Sequence, residues 1–157
     1  SRIKPKLTTN LFLGQYFPEG QLTRFAPMRN DVRMGHLHTD VTVRGNKATV
    51  ELKKVLVDTG ATYTVLPEDV LEKVGAWGPV GEVEVELGNG RKVEAKAYGV
   101  AIEIKGVEAP AVSITFEGAR TGIGVETLES IGLRLDPTTG ELEFTRPKGL
   151  AYFYRCR

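Results

Sequence analysis

One carboxylate near the middle of the chain stands between two apolar runs that are typical of β-strands. Asp58 follows the run at 55–57, and Thr59 and Gly60 come next, before a second apolar run at 65–66. A buried acid is costly unless hydrogen bonds or an opposite charge compensate it. Gly60 lets the chain turn at once, so backbone N–H groups can approach the carboxylate. The pattern predicts that a strand delivers Asp58 to a tight turn.

Two such carboxylates within hydrogen-bonding distance have a chemistry that one alone lacks. They cannot both be ionised, so they share a proton and titrate as a pair. One can take a proton from a bound water while the other donates a proton to a peptide carbonyl. The residues around Asp58 therefore favour hydrolysis of peptide bonds, provided that a second carboxylate is supplied.

Short alternating segments separated by turn residues surround Asp58. A helix is expected from Pro67 to Gly75, and a second over 125–131, closed by Gly132. We expect Trp77 to pack as core beneath a hairpin. Strands are expected at 37–43, 48–57, 99–105 and 111–116, with hairpins at 82–97 and 133–145. The pattern predicts a mostly β domain with two short helices.

The length of 157 residues predicts one domain with a sizeable core. We divide the chain into an N-terminal extension or arm at 1–33 and a domain at 34–157, whose extended C-terminal strands lie at 134–157. The 21 basic and 20 acidic residues balance, so nothing supports nucleic acid or a membrane as a partner. No apolar run approaches the ~20 residues of a transmembrane helix and no signal peptide is evident, which predicts a cytoplasmic protein.

The cysteine and histidine content limits which disulfides and metal sites the chain could form, and its amide content bears on thermal adaptation. Cys156 is the only cysteine, which excludes an intrachain disulfide and a cysteine-rich metal site. His36 and His38 share one strand face, but no third ligand is placed near them, so we expect no metal site and no other cofactor. From Met34 onward there is no glutamine and only two asparagines, a composition that leans thermophilic.

Two elements together resemble a known family. "LVDTGA" at 56–61 and "GIGVETLESIG" at 122–132, with a glycine-tipped hairpin between them, are similar to the retropepsin-like branch of the aspartic proteases. The likeness covers roughly residues 35–136. It implies a cellular, single-domain aspartic endopeptidase with an all-β fold. That fold is a closed β-barrel half-domain with one or two short helices, and it works as a homodimer.

The resemblance also implies a source for the second carboxylate. Asp-Thr-Gly occurs once here, whereas two-lobed pepsin-like enzymes carry two copies in a longer chain. Asp31, Asp40, Asp69 and Asp136 have no Thr-Gly beside them. A second copy of the chain would therefore supply another Asp58 across a twofold axis. The implied substrate is a peptide or an unfolded protein.

Further roles follow from the same likeness. Thr59 would hydrogen-bond across the dimer interface, and the backbone of Gly60 would face the substrate. The implied substrate-binding residues are Ala61, Thr62, Tyr63, Arg120, Gly122 and the tip of a flap hairpin, Gly88, Asn89 and Gly90. Val125 stands where retropepsins usually carry Arg, so the ion pairs of that Arg are not expected.

Ala61 has a consequence for the pH dependence of activity. Pepsin-like enzymes carry Ser at this place, and its hydroxyl can donate a hydrogen bond to the carboxylate, which Ala cannot do. We therefore expect an optimum nearer pH ~5–6 than the strongly acidic range.

Two other interpretations stay open. A catalytically inactive dimer of the same fold would bind peptides or partner proteins without cutting them. A structural β domain, in which Asp58 only caps a turn, would be a stable monomer. Without the family resemblance, the residues at 88–90 would be interpreted as a plain hairpin turn.

Overall fold

Nine strands and two helices make up the described part of the chain. The computed structural model describes residues 37–153. In chain order the elements are β1 His38–Arg44, β2 Thr49–Val57, β3 Thr64–Val65, α1 Glu68–Val74, β4 Trp77–Glu86, β5 Lys92–Ile104, β6 Val107–Thr115, β7 Gly122–Ile123, α2 Val125–Ile131, β8 Leu133–Asp136 and β9 Glu141–Phe144.

Seven strands join in one sheet that returns on itself. Their order is β1-β2-β7-β3-β6-β5-β4, and β1 also pairs with β5, so six strands form a ring and β4 lies outside it. β8 and β9 form a separate two-stranded sheet. The predicted all-β fold with two short helices is confirmed. The predicted arm at 1–33 lies outside the described residues, and the division at residue 34 stays a prediction.

The main apolar core is drawn from every part of this ring. Val43, Val57, Leu66, Ile102 and Ile123 are each 0% exposed and belong to one cluster. Burying a side chain of this size contributes about 1.5–3 kcal/mol. The last residue of β2 and the last residue of β7 are both in this set, so the strands that flank Asp58 are anchored in the core.

A smaller apolar cluster lies between the β4–β5 hairpin and β6. Its buried members are Ala95, Ala97 and Ile114. Partly buried side chains from both sides pack against them, namely Tyr63, Val65, Val83, Val85, Val112 and Phe116. This cluster joins the inner face of the hairpin to Tyr63, five residues beyond Asp58.

Both helices end at the glycines that the sequence predicts. Gly75 and Gly132 follow the last helical residues with φ angles of 72° and 93°. Glycine adopts this left-handed region without steric cost, which explains both stops. Neither described helix is long and apolar enough to cross a membrane.

The prediction that Trp77 packs in the core is wrong. Its side chain is 69% exposed. It pairs with Gly99 of β5, and its ring lies against that residue, since a Cβ added to Gly99 would lie 3.2 Å from Trp77 Cε3. β4 lies outside the ring, so this face of the hairpin has no covering layer in the single chain.

The strands β5 and β6 differ from their predicted bounds. β5 is one strand, whereas the sequence predicts a break at Tyr98 between a hairpin that ends at residue 97 and a strand that begins at Gly99, and β6 begins at Val107 instead of residue 111. Pro110 is tolerated inside β6 because β3 pairs only with Ser113 and Ile114. The missing N–H of this proline therefore interrupts no ladder on that side.

A β-bulge shapes β2 shortly before Asp58. The β1–β2 register shifts between Thr39 and Val41, opposite a Lys54 with a φ of 54°. The Asp40 carboxylate accepts a hydrogen bond from the Lys54 N–H at 3.0 Å. This bond is the main reason that the pKa of Asp40 is lowered; burial opposes the shift, and the nearby Lys53 ammonium supports it.

We predict that Asp40→Asn removes a pH-dependent part of the stability. Because the folded pKa of Asp40 is lowered, its contribution is fully present above the ordinary value of 3.8 and is lost as the pH falls through the folded value. Urea unfolding at several pH values should show wild type more stable near about pH 6, with the difference shrinking in acid. Glu117→Gln, at an exposed loop carboxylate, is the control. A difference that is constant with pH would contradict the prediction.

Candidate active site

Asp58 lies where β2 leaves the sheet. β2 pairs in parallel with β7, with Val57 opposite Ile123. The Asp58 N–H continues this ladder by one bond, to the Ile123 carbonyl at 2.8 Å. The Asp58 side chain is half-buried. A strand anchored in the core therefore delivers the carboxylate to a tight turn, as the sequence predicts.

The segment 58–63, which we call the Asp58 loop, turns back on the carboxylate. The Gly60 N–H donates a hydrogen bond to Asp58 Oδ1 at 3.0 Å. The Ala61 N–H donates to the Asp58 carbonyl at 3.1 Å. Hydrogen bonds from backbone N–H groups favour the ionised form of a carboxylate and hold its orientation. The contact expected from the Thr-Gly sequence is therefore present.

The first turn of α2 holds the outer half of this loop. The Val125 N–H donates to the Ala61 carbonyl at 2.8 Å, and the Glu126 N–H donates to the Thr62 carbonyl at 2.9 Å. The first N–H groups of a helix have no partner within the helix. The Asp58 loop supplies two of those partners, so the loop and the helix fix each other.

Two buried threonines form a second contact, between β3 and α2, that sequence reasoning missed. Thr64 and Thr127 are both 0% exposed, and their Oγ1 atoms lie 2.6 Å apart. Thr64 Oγ1 also accepts the Gly124 N–H at 3.1 Å. The sequence signal that could have revealed this contact was a threonine among apolar residues, once in β3 and once in α2. A buried hydroxyl needs a partner, and the two satisfy each other.

Gly124 is required by a close approach between backbones. A Cβ added there would lie 2.4 Å from the carbonyl carbon of Tyr63 and 2.5 Å from its oxygen. Real Cβ atoms do not approach backbone this closely, so any side chain would push β7 away from the Asp58 loop. The second glycine of "GIG" is thus a packing requirement.

The Asp58 loop and α2 border an open depression of about 440 Å³. The predicted site residues Thr59, Gly60, Ala61, Thr62 and Tyr63 line one side. The other side is lined by Val125, Glu126 and Glu129, which were not predicted as site residues. The structure therefore brings five of the predicted residues to one concave surface.

The remaining predicted site residues lie in three places. Gly122 lies beside Asp58, because a Cβ added to it would be 3.9 Å from Asp58 Cβ. Arg120 is exposed in the segment between β6 and β7. The tip of the β4–β5 hairpin is an exposed turn, in which the Gly90 N–H donates to the Leu87 carbonyl at 2.9 Å and Asn89 Oδ1 accepts the Arg91 N–H.

Other aspartates of the described residues are held elsewhere. Asp40 belongs to the β-bulge, Asp69 accepts the Val70 N–H at the start of α1, and Asp136 accepts the Thr138 N–H in the β8–β9 turn. Asp31 and His36 lie outside the described residues. Within residues 37–153, no three His, Cys, Asp or Glu side chains lie together in a group that could hold a metal ion.

Comparison with known proteins adds one finding to this geometry. A family model described as "gag-polyprotein putative aspartyl protease" matches residues 39–128, which is more than half of the chain. The matched region includes the Asp58 loop, the β4–β5 hairpin and the first turn of α2. No curated protein matches the chain.

We predict that Gly124→Ala destabilises the protein by about 1–3 kcal/mol, because the new methyl group must displace backbone. The free energy of unfolding in urea measures the effect. Gly81→Ala in β4 is the matched control, since a Cβ there meets no atom within 4 Å. Equal stability of the two variants would show that the approach between Gly124 and Tyr63 is not a constraint.

Proposed function

The chain belongs to this family of aspartyl proteases, and we propose that it is a dimeric aspartic endopeptidase in which each subunit supplies one Asp58. The family match supports aspartic protease function in general. The dimer and the catalytic role of Asp58 are our inference. One observation carries it: Asp58 lies at the end of a core-anchored strand, its carboxylate is oriented by the Gly60 N–H, and the five residues that follow it line an open depression.

The second carboxylate is best supplied by a second copy of the chain. Asp40, Asp69 and Asp136 each bind backbone at another place, and none has the Thr-Gly turn that orients Asp58. A twofold axis beside the Asp58 loop would bring two identical carboxylates together. Thr59 is exposed in the single chain, which supports a role for its hydroxyl across that axis.

The pair of carboxylates would act as a coupled acid and base. The ionised carboxylate takes a proton from a water, and the water oxygen attacks the carbonyl carbon of the peptide bond. The protonated carboxylate donates its proton to the carbonyl oxygen, which gives a tetrahedral diol. The diol then collapses: one of its hydroxyls gives a proton to the ionised carboxylate, its C–N bond breaks, and the departing nitrogen takes the proton of the other carboxylate. A carboxylic acid and an amine are released, and the pair again holds one proton.

The peptide would lie between the Asp58 loop and the β4–β5 hairpin. Tyr63 packs in the same cluster as Val83 and Val85 on the inner face of the hairpin, whereas the depression that Ala61, Thr62 and Tyr63 line is bordered by α2 on its other side. Gly122, beside Asp58, and Arg120, in the segment between β6 and β7, would also bind the substrate. The exposed tip at 88–90 would act as a flap that excludes water during reaction.

We predict that Asp58→Asn lowers kcat/KM on an unfolded protein by at least about 100-fold, because an amide can serve as neither acid nor base. Asp69→Asn, which changes an aspartate at the exposed start of α1, is the matched control and should keep wild-type activity. In an equimolar refolded mixture of wild type and Asp58→Asn, mixed dimers should be inactive.

That mixture should therefore retain about one quarter of the activity of wild type at equal total protein, because about one dimer in four carries two aspartates. About one half would indicate that each subunit works alone and would contradict the proposal. Wild type and Asp58→Asn that are equally inert over many substrates and pH values would instead support a peptide-binding dimer.

We predict that Ala61→Ser moves the activity optimum to lower pH than the ~5–6 expected for wild type, since the new hydroxyl can donate to the ionised carboxylate. The pH dependence of kcat/KM measures this shift. Ala151→Ser, at an exposed position of the C-terminal segment, is the control. An unchanged optimum in Ala61→Ser would contradict the role assigned to residue 61.

A further inference from the structure

Glu126 connects the first turn of α2 to strand β6. Its Oε1 accepts the Val112 N–H at 3.2 Å, and its Oε2 lies 3.5 Å from Ser130 Oγ, one helical turn onward. The side chain is half-buried. Both carboxylate oxygens thus face groups of the protein, although Glu126 also borders the depression beside the Asp58 loop.

The Val112 N–H needs this partner because no strand reaches it. β3 consists of Thr64 and Val65 and pairs with Ser113 and Ile114 of β6. Val112 comes just before the first of these, where β3 has not yet begun. A partly buried N–H without an acceptor is unfavourable. The Glu126 carboxylate supplies the acceptor in place of a strand.

The same residue is bonded to the Asp58 loop through its backbone. The Glu126 N–H donates to the Thr62 carbonyl at 2.9 Å, next to the bond between Val125 and Ala61 at 2.8 Å. Ala61 in turn donates to the Asp58 carbonyl. Three consecutive contacts therefore join the Glu126 side chain, the helix start and the backbone of Asp58.

On its other side, β6 leads to the hairpin. Val112 pairs with Gly99 of β5, and Gly99 pairs with Trp77 at the start of β4. Glu126 thus joins the Asp58 loop, through its backbone N–H, to β6, through its carboxylate, and β6 pairs with the base of the hairpin.

We propose that Glu126 is a positioning residue that fixes the Asp58 loop relative to the base of the β4–β5 hairpin. The inference rests on the proposed protease function. Glu126 does not exchange protons with the substrate; it keeps the loop carbonyls, and with them Asp58, in the geometry that the reaction needs. Misplacement of a reacting group by a fraction of an ångström to one ångström is enough to lower a rate strongly.

The test compares Glu126→Ala with Glu126→Gln. Alanine leaves the Val112 N–H without its acceptor, whereas the glutamine Oε1 can still accept it. We expect kcat of Glu126→Ala on an unfolded protein to fall about tenfold with little change in KM. Glutamine should restore most of the rate, and the shape of the pH profile should not change. Glu68→Ala, in the first turn of α1, is the matched control and should retain wild-type kcat.

Amide hydrogen exchange gives a second readout that does not depend on activity. Glu126→Ala should speed exchange at Val112 and also at Val125, whose N–H binds the Ala61 carbonyl. Faster exchange at Val112 alone would show that the carboxylate does not hold the loop, and would overturn the proposal. Equal kcat in the alanine and glutamine variants, or a loss confined to KM, would also overturn it.

The two proposals fail in distinguishable ways. If the protease function is wrong, wild type and Asp58→Asn are equally inert, and hydrogen exchange still decides whether Glu126 holds the loop. If only the positioning role is wrong, Asp58→Asn loses activity while Glu126→Ala keeps its kcat.

Discussion

The hydrogen bonds between the Asp58 loop and the start of α2 are the contacts on which the rest of the site depends. The carbonyls of Ala61 and Thr62 accept the N–H groups that α2 cannot satisfy internally. A loop of this length has no core of its own, so its shape is set by the helix that it caps. The close approach of Gly124 to Tyr63 and the buried hydrogen bond between Thr64 and Thr127 hold the Asp58 loop against the start of α2.

Local sequence signals predicted much of this arrangement. Alternating side chains indicate the strands, and Gly75 and Gly132 stop the two helices as expected. The Thr-Gly pair after Asp58 predicts a turn that returns an N–H to the carboxylate, and Gly60 makes that bond. These predictions agree with the structure because each depends on the backbone freedom or the hydrogen-bonding capacity of residues close together in sequence.

What the sequence did not predict depends on contacts between distant segments. Periodicity does not tell which face of an outer strand is covered, so the sequence predicts Trp77 in the core although its side chain is 69% exposed. Nor does it tell that β3 is too short to reach Val112, which is why the contact from Glu126 was missed. A glycine such as Gly99 resembles the start of a new strand when only its neighbours are known, whereas here it lies inside β5 and leaves room for an aromatic ring on the paired strand.

The proposed protease requires that two chains build one site around two Asp58 side chains. A peptide mimic that carries a hydroxyl in place of the scissile carbonyl would occupy the position of the attacked carbon between them and bind as a transition-state analogue. Its binding stoichiometry, measured by calorimetry against a known concentration of protein, tests the claim most directly. We predict one mimic per two chains, with binding lost in Asp58→Asn. One mimic per chain, bound equally well by Asp58→Asn, would contradict it.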